Sequence, residues 1–302
     1  MSEQRGYNDP RAFRRALTDR LKTAAESSRW SLPQLQRQMA YDRLLERLYL
    51  ENEGWVVKGA TALLARDIGV RGTIDIDVYR DAPKEVAEGE VRAAAARDIG
   101  DWFRFEVGPP RPSADGAPGV RLPVTAFVGA TRWADFHVDI VASDVTMTGQ
   151  PDEVPALARV AIPDVEQHGY RAYPLVDHVA DKVVATFDRY GTARVPSTRY
   201  KDLVDIVAIV IEASVEARAQ MDALASEAAR RQVTLPNAFS VSDEAMWALG
   251  YGSEAGRSLL PVARTLDEAL AVVKPFLDPI LDGSAKGRWD PTRARWHTEL
   301  LN

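Results

Sequence analysis

The sequence contains no cysteine, which excludes disulfides, thiolate zinc sites and a cysteine nucleophile. It has no apolar run long enough to span a bilayer, and the opening MSEQRGYNDPRAFRR lacks the apolar core of a signal peptide. It also lacks the positive excess expected of a general nucleic-acid coat, since the formal net charge is −6. Internal repeats and low-complexity tracts are missing as well. A cytoplasmic protein without a membrane partner is the expectation. What is present is ordinary for a globular chain: 302 residues, 46% of them apolar and 27% charged, enough for one large domain or two modest ones.

Periodicity predicts two opening helices, about residues 9–26 and 31–51, the second with Ser31 as N-cap and Pro33 in its first turn. Arg11, Arg14, Arg15, Arg20 and Lys22 lie in the first, and Arg37, Arg43 and Arg47 in the second. These charges read either as solvated helix faces or as a phosphate-binding patch, the only hint toward RNA. A strand at Trp55-Val56-Val57 leads through Gly59 into a helix over 61–67, with Gly69 expected to close it. The IDIDV strand, a helix over 84–97, and strands over 103–107, 120–128 and 135–142 follow. A proline- and glycine-rich stretch from Pro109 to Gly119 reads as a mobile loop.

Beyond Pro163 the pattern becomes almost purely helical, with helices expected over 175–190, 197–214, 216–231, 243–249, 266–281 and 291–301. The chain therefore reads as α/β (α+β): a mixed sheet with helices over residues 1–162, and an all-α bundle over 163–302 that completes a cleft.

Ile74-Asp75-Ile76-Asp77-Val78 sets two acids on one strand face, with Ile74, Ile76 and Val78 toward the core. Carboxylates about 6–7 Å apart along a strand suit a hard divalent cation, Mg2+ or Mn2+, that completes its shell with water and phosphate. A bare DxD also occurs on solvated strand faces, so the companions matter. Gly59 and Thr61 open a helix where a phosphate can approach, or else form a plain tight turn. Asp139, within Val138-Asp139-Ile140, is a third metal-ligand candidate, or an exposed or hydrogen-bonded strand residue; Asp144 falls in the turn beyond it. Lys182 sits among apolar neighbours, and Asp202 and Asp205 share a helix face, as surface ion pairs also do. Together these residues form a coherent set for nucleotidyl transfer, with acids holding metal and a lysine neutralising a triphosphate.

Lys58-Gly59-Ala60-Thr61-Ala62-Leu63, then Arg66 and Arg71-Gly72-Thr73-Ile74-Asp75-Ile76-Asp77, resemble the signature of the AbiEii/MenT-type nucleotidyltransferase toxins. That signature commonly reads KGGTAL, a basic residue, and R-x-[S/T]-x-D-I-D. Lys182 and the segment Arg199-Tyr200-Lys201-Asp202-Leu203-Val204-Asp205 look like the later motifs, and the resemblance covers roughly residues 55–206. Ala60 and Lys201 depart from the usual glycine and arginine.

The resemblance implies a DNA polymerase β-like nucleotidyltransferase fold with a helical C-terminal region. It implies the toxin of a bacterial toxin–antitoxin pair, using Mg2+ and an NTP and acting on an RNA acceptor such as the tRNA 3′ end, with a cognate antitoxin and no DNA partner. By position, Asp75, Asp77, Lys182 and Asp202 would be catalytic, the two strand aspartates through metal. Gly59, Thr61, Arg66, Thr73 and Lys182 would line the nucleotide site, and Thr73 would be a phosphorylation point that silences it. Transfer to a protein or small-molecule hydroxyl, or a non-catalytic nucleotide-binding regulator, are the alternatives.

Overall fold

The computed structural model describes residues 6–112, 119–142, 147–163 and 165–298; Asp144 and the centre of the Pro109–Gly119 stretch lie outside them. The chain divides into two units. The first comprises Met1–Arg66, Gly72–Val145 and Asp152–Ala172, and the second Asp67–Arg71, Thr146–Pro151 and Tyr173–Asn302.

The first unit opens with α1 (Pro10–Ser27) and α2 (Leu32–Glu51). Asp9 caps α1 by accepting hydrogen bonds from the Arg11 and Ala12 amides, and Gln34 reaches back to the Ser31 amide at the start of α2. Then come β1 (Trp55–Lys58), α3 (Gly59–Ala65), β2 (Asp75–Arg80), α4 (Lys84–Ala96), β3 (Phe103–Val107), β4 (Arg111–Pro112), β5 (Val120–Val128), β6 (Thr131–Ala142), β7 (Asp152–Val154) and β8 (Tyr170–Ala172). They form one mixed sheet in the order β3-β5-β6-β2-β1-β8-β7, with β4 on β5. Pairs β2–β6 and β1–β8 are parallel and the rest antiparallel.

Alternation decides which face is which. Ile76, Val78, Leu122, Val124, Val138 and Ile140 are buried on the face that carries α1, α2 and α4. The intervening residues, Asp75, Asp77, Arg121, His137 and Asp139, therefore stand on the opposite face. Ile74 does not join the core as expected: it precedes β2 and is exposed.

Helix α2 is buried along most of its length, and Arg43 and Arg47 are neither solvated nor a phosphate patch, while Arg37 is half-buried. Arg43 and Arg47 converge on buried Asp101, with Arg43 Nε 2.6 Å from Oδ2 and Arg47 Nη2 2.6 Å from Oδ1. Burial of so much charge is tolerable because each group is paired and hydrogen-bonded. On α1, Arg11, Arg15, Arg20 and Lys22 remain exposed.

The second unit contains α5 (Leu175–Phe187), α6 (Tyr200–Glu212), α7 (Ala217–Arg231), α8 (Glu244–Arg257) and α9 (Leu266–Leu281). Small two-residue strands β9 (Arg189–Tyr190) and β10 (Val195–Pro196) pair between α5 and α6. The expected last helix is instead a hairpin of β11 (Arg288–Asp290) and β12 (Arg295–His297), with Trp289 opposite Trp296. The Asp290 carboxylate accepts from the Thr292 and Arg293 amides and so fixes the turn, while both indoles pack on Phe276 and donate to buried carbonyls. Gly69 does not close α3; the left-handed residue after that helix is Asp67, at φ 61°. Among the described residues no helix is long and apolar enough to cross a membrane.

Candidate active site

The first unit carries an acidic patch. β1 runs antiparallel to β2 so that Lys58 stands opposite Asp77, and Gly59 turns the chain into α3 immediately afterwards. Gly59 has φ +58°, and a Cβ there would lie 1.7 Å from Asp77 Oδ2. Only glycine fits, so the turn packs directly on the carboxylate. Thr61 is buried and its hydroxyl donates to the Asp75 carbonyl at 3.1 Å, tying α3 to the aspartate strand. Thr73 lies just before β2 and not on it. Its hydroxyl donates to the Asp75 carbonyl and accepts from the Asp75 amide, at 3.0 and 3.1 Å.

Parallel pairing of β2 with β6 puts Asp77 in register with Asp139 and Asp75 in register with His137. Paired residues of neighbouring strands are about 5 Å apart and share a face, so three carboxylates and an imidazole gather on one patch of sheet. His137 Nδ1 lies 3.1 Å from Asp75 Oδ1. Arg121, across the β5–β6 hairpin, forks onto Asp139 with Nε 2.8 Å from Oδ1 and Nη2 2.5 Å from Oδ2. The same Nη2 is 3.6 Å from Asp75 Oδ2. The Asp139 hydrogen bond raises the arginine's pKa most; partial burial opposes it, and the charges of Asp139, Asp75 and Asp77 add to it.

Asp75 and Asp77 supply hard oxygen donors on one face, a donor set that fits a divalent cation such as Mg2+. Asp139 presents both oxygens to Arg121, and for it to act as a third ligand the guanidinium would have to leave. Among the described residues no group of three histidine, aspartate or glutamate side chains is disposed to hold a metal together.

Beside this patch the open sheet face continues into a groove of about 690 Å³, lined among others by Ile74, Val107, Arg111, Pro123, Arg132 and His137. Arg66 is not in that lining; its guanidinium pairs with Asp152.

The second unit carries a buried cationic cluster of its own. Lys182 on α5 donates to Asp202 Oδ1 at 2.7 Å and to Asp205 Oδ2 at 2.8 Å, both on α6. Arg199 also bonds Asp202, and Arg71 forks onto Asp205 at 2.9 and 2.8 Å. These are not surface pairs: Lys182, Asp202 and Asp205 are all buried. Burial alone would raise the pKa of Asp202, but the charges of Lys182 and Arg199 overcome it and hold the carboxyl well below the usual range. Lys182 is likewise kept cationic, because Asp202 and Asp205 outweigh the burial that would lower its pKa.

Sequence reasoning missed Arg121, His137 and Arg71 as members of these clusters. His137 was within reach, since it alternates with Asp139 in FHVDI. Arg121 offered only an arginine in an apolar alternation, with its partner 18 residues away.

Residues 43–282 match the family described as "Nucleotidyl transferase AbiEii toxin, Type IV TA system". Among solved structures the chain is similar to MenT4, a nucleotidyltransferase toxin from Mycobacterium tuberculosis, at 15% identity and TM-score 0.50 over 85% of this chain and 99% of that one. JHP933 from Helicobacter pylori aligns at 15% identity and TM-score 0.39, over 73% of this chain and 94% of that one. Only the first reaches a score that speaks for a common fold. No curated protein sequence matches the chain.

Proposed function

The chain belongs to the AbiEii family of nucleotidyltransferase toxins of type IV toxin–antitoxin systems, and from that premise we propose that it moves a nucleoside monophosphate from an NTP to an RNA hydroxyl, the tRNA 3′ end, with Mg2+ or Mn2+. The observation that carries this reading is the patch itself: Asp75 and Asp77 on one strand face, Asp139 in register beside them, and Gly59 closed tightly onto Asp77.

In this reaction the acceptor hydroxyl attacks the α-phosphorus, the bond to the bridging oxygen breaks, and pyrophosphate leaves. A divalent cation held by Asp75 and Asp77 would supply positive charge for the phosphate oxygens. The chain's own residues do the rest. Thr61 and Thr73 hold the backbone of Asp75 from two sides and so fix the direction of its carboxylate. His137 braces the same carboxylate from the neighbouring strand. Lys182, held as a cation by Asp202 and Asp205, would serve to neutralise phosphate charge. Asp202 then serves by holding Lys182 and Arg199 in place, and Arg66 would have to leave its Asp152 partner to reach a nucleotide. The groove beside His137, with Ile74 exposed at its edge and Arg111 and Arg132 in its lining, suits a terminal nucleotide whose hydroxyl must reach the aspartates. A cognate antitoxin is the expected partner.

The test is incubation of the purified protein with each α-labelled NTP, Mg2+ and total RNA. Label at tRNA 3′ ends is the expected result; label confined to protein or to a small acceptor overturns the RNA reading. Asp75→Ala is expected to abolish both labelling and growth inhibition, and undiminished inhibition by that variant defeats the catalytic reading altogether.

A further inference from the structure

Arg121 reaches into the acidic patch from the neighbouring strand. It stands opposite Asp139 in the β5–β6 register, as Asp139 stands beside Asp77 in the β6–β2 register. Its guanidinium forks onto both oxygens of Asp139 and lies 3.6 Å from Asp75. Asp139 and Asp75 thus already share a cation that no accessible pH removes. Lys58, opposite Asp77, adds a second tethered positive charge at the other side.

We infer that Arg121 takes the place of one of the two divalent ions that three carboxylates would otherwise gather, so that this chain by itself loads a single ion, on Asp75 and Asp77, with Asp139 kept as counter-ion to the guanidinium. The inference rests on the metal-dependent reading given above.

The charge balance favours it. Three carboxylates, the guanidinium and Lys58 together leave one negative charge, which a single dication already exceeds. A second dication, in a paired site about 3.5–4 Å from the first, would add two positive charges beside the guanidinium. Geometry points the same way. Mg2+ demands a near-octahedral shell at about 2.0–2.1 Å, whereas each Asp139 oxygen already accepts a charge-assisted N–H bond. The arginine's planar fork matches a carboxylate in a way that a lysine would not, so the exchange is specific to this side chain.

The test measures binding of Mn2+ alone to the full chain, by electron paramagnetic resonance of the free ion and by calorimetry, with thermal melting as the check on folding. The wild-type protein is expected to take up a single ion. Arg121→Gln is expected to take up a second, or to bind the first about tenfold more tightly. Asp139→Asn in the wild-type background should leave the single ion in place but more weakly bound, for the lost negative charge, and should abolish the second ion when combined with Arg121→Gln. Arg121→Lys should fall between, and serves if the glutamine variant does not fold.

Two ions in the wild-type protein, an Arg121→Gln variant that binds Mn2+ as the wild type does, or a second ion retained by the Arg121→Gln/Asp139→Asn double variant, overturns the inference while leaving metal-dependent transfer intact. Absence of Mn2+ binding at millimolar concentration, together with full activity in chelator, overturns both.

Discussion

Replacing Gly59 by alanine tests the geometry of the acidic patch most directly. Gly59 has φ +58°, where an L-residue is strained by about 1–2 kcal/mol. Its new Cβ would stand 1.7 Å from Asp77 Oδ2, and ordinary contact needs 3.4 Å, so the carboxylate must retreat by the difference, about 1.7 Å. A misplacement of about 1 Å at a reacting group costs roughly a hundredfold in rate. Gly59→Ala is therefore expected to lose about 1–2 kcal/mol of stability and about a hundredfold or more of nucleotide transfer. Urea unfolding and labelled-NTP incorporation read the two effects separately. Gly89→Ala is the control: it lies within α4, a Cβ there meets nothing within 4 Å, and helix propensity predicts a gain of about 0.5–1 kcal/mol with transfer unchanged. Wild-type transfer by Gly59→Ala would refute the reasoning, because it would mean that Asp77 does its work equally well from another position.

Thr73→Glu should abolish growth inhibition, because it removes the hydroxyl bonded to the Asp75 backbone and sets a negative charge at the mouth of the acidic strand; a fully toxic variant sinks the off-switch. Lys182→Met should destabilise the second unit by about 3–5 kcal/mol in urea unfolding, since it leaves buried Asp202 and Asp205 without the cation they share. Adding Asp202→Asn should recover part of that loss, and strictly additive effects would show that the two side chains do not interact. A pH dependence follows from Asp42, whose carboxyl burial pushes up to about 6 against the hydrogen bonds from Tyr170, Ala158 and Leu157. Because the folded value lies above the unfolded one, the protonated form favours folding, and that contribution, about 3 kcal/mol, is full below pH ~4 and lost as pH rises through about 6. Asp42→Asn should flatten the urea midpoint across this window, and an unchanged slope would rule out Asp42 as its source.

Elements whose partners are local were legible in the sequence. The strands over 103–107 and 120–128 fell where alternation put them, and the cap Ser31 marked the start of α2, because both signals lie within a few residues of their effect. The C-terminal hairpin misled for the opposite reason. Arg-Trp-His-Thr-Glu-Leu can follow a helical period, and only Phe276 and the Val210 carbonyl, far away in the chain, give the two tryptophans a reason to face one another across a turn. Arg43 and Arg47 looked solvated because an arginine on a helix usually is; their shared partner, Asp101, is more than 50 residues on. Within the site, the aspartate strand and its glycine were visible as a motif. Arg121 and the depth of the Lys182 cluster were not, since an ion pair formed across a hairpin or between helices leaves no periodic mark.

The same distinction bears on why two adjacent aspartates can stand on one strand at all. Their repulsion does not have to wait for a ligand, because the fold supplies partners to the acids around them: His137 at Asp75, and Arg121 at Asp139. In the second unit Asp202 and Asp205 likewise have Lys182 between them and an arginine each on the outside. Charges paired within the chain lessen the repulsion that a bound ion would otherwise have to offset, unlike small domains that are held together by metal. They also constrain the chemistry. A carboxylate already held by a guanidinium is available to a cation only at the cost of breaking that pair, so the number of ions this patch takes is set as much by its arginine as by its aspartates.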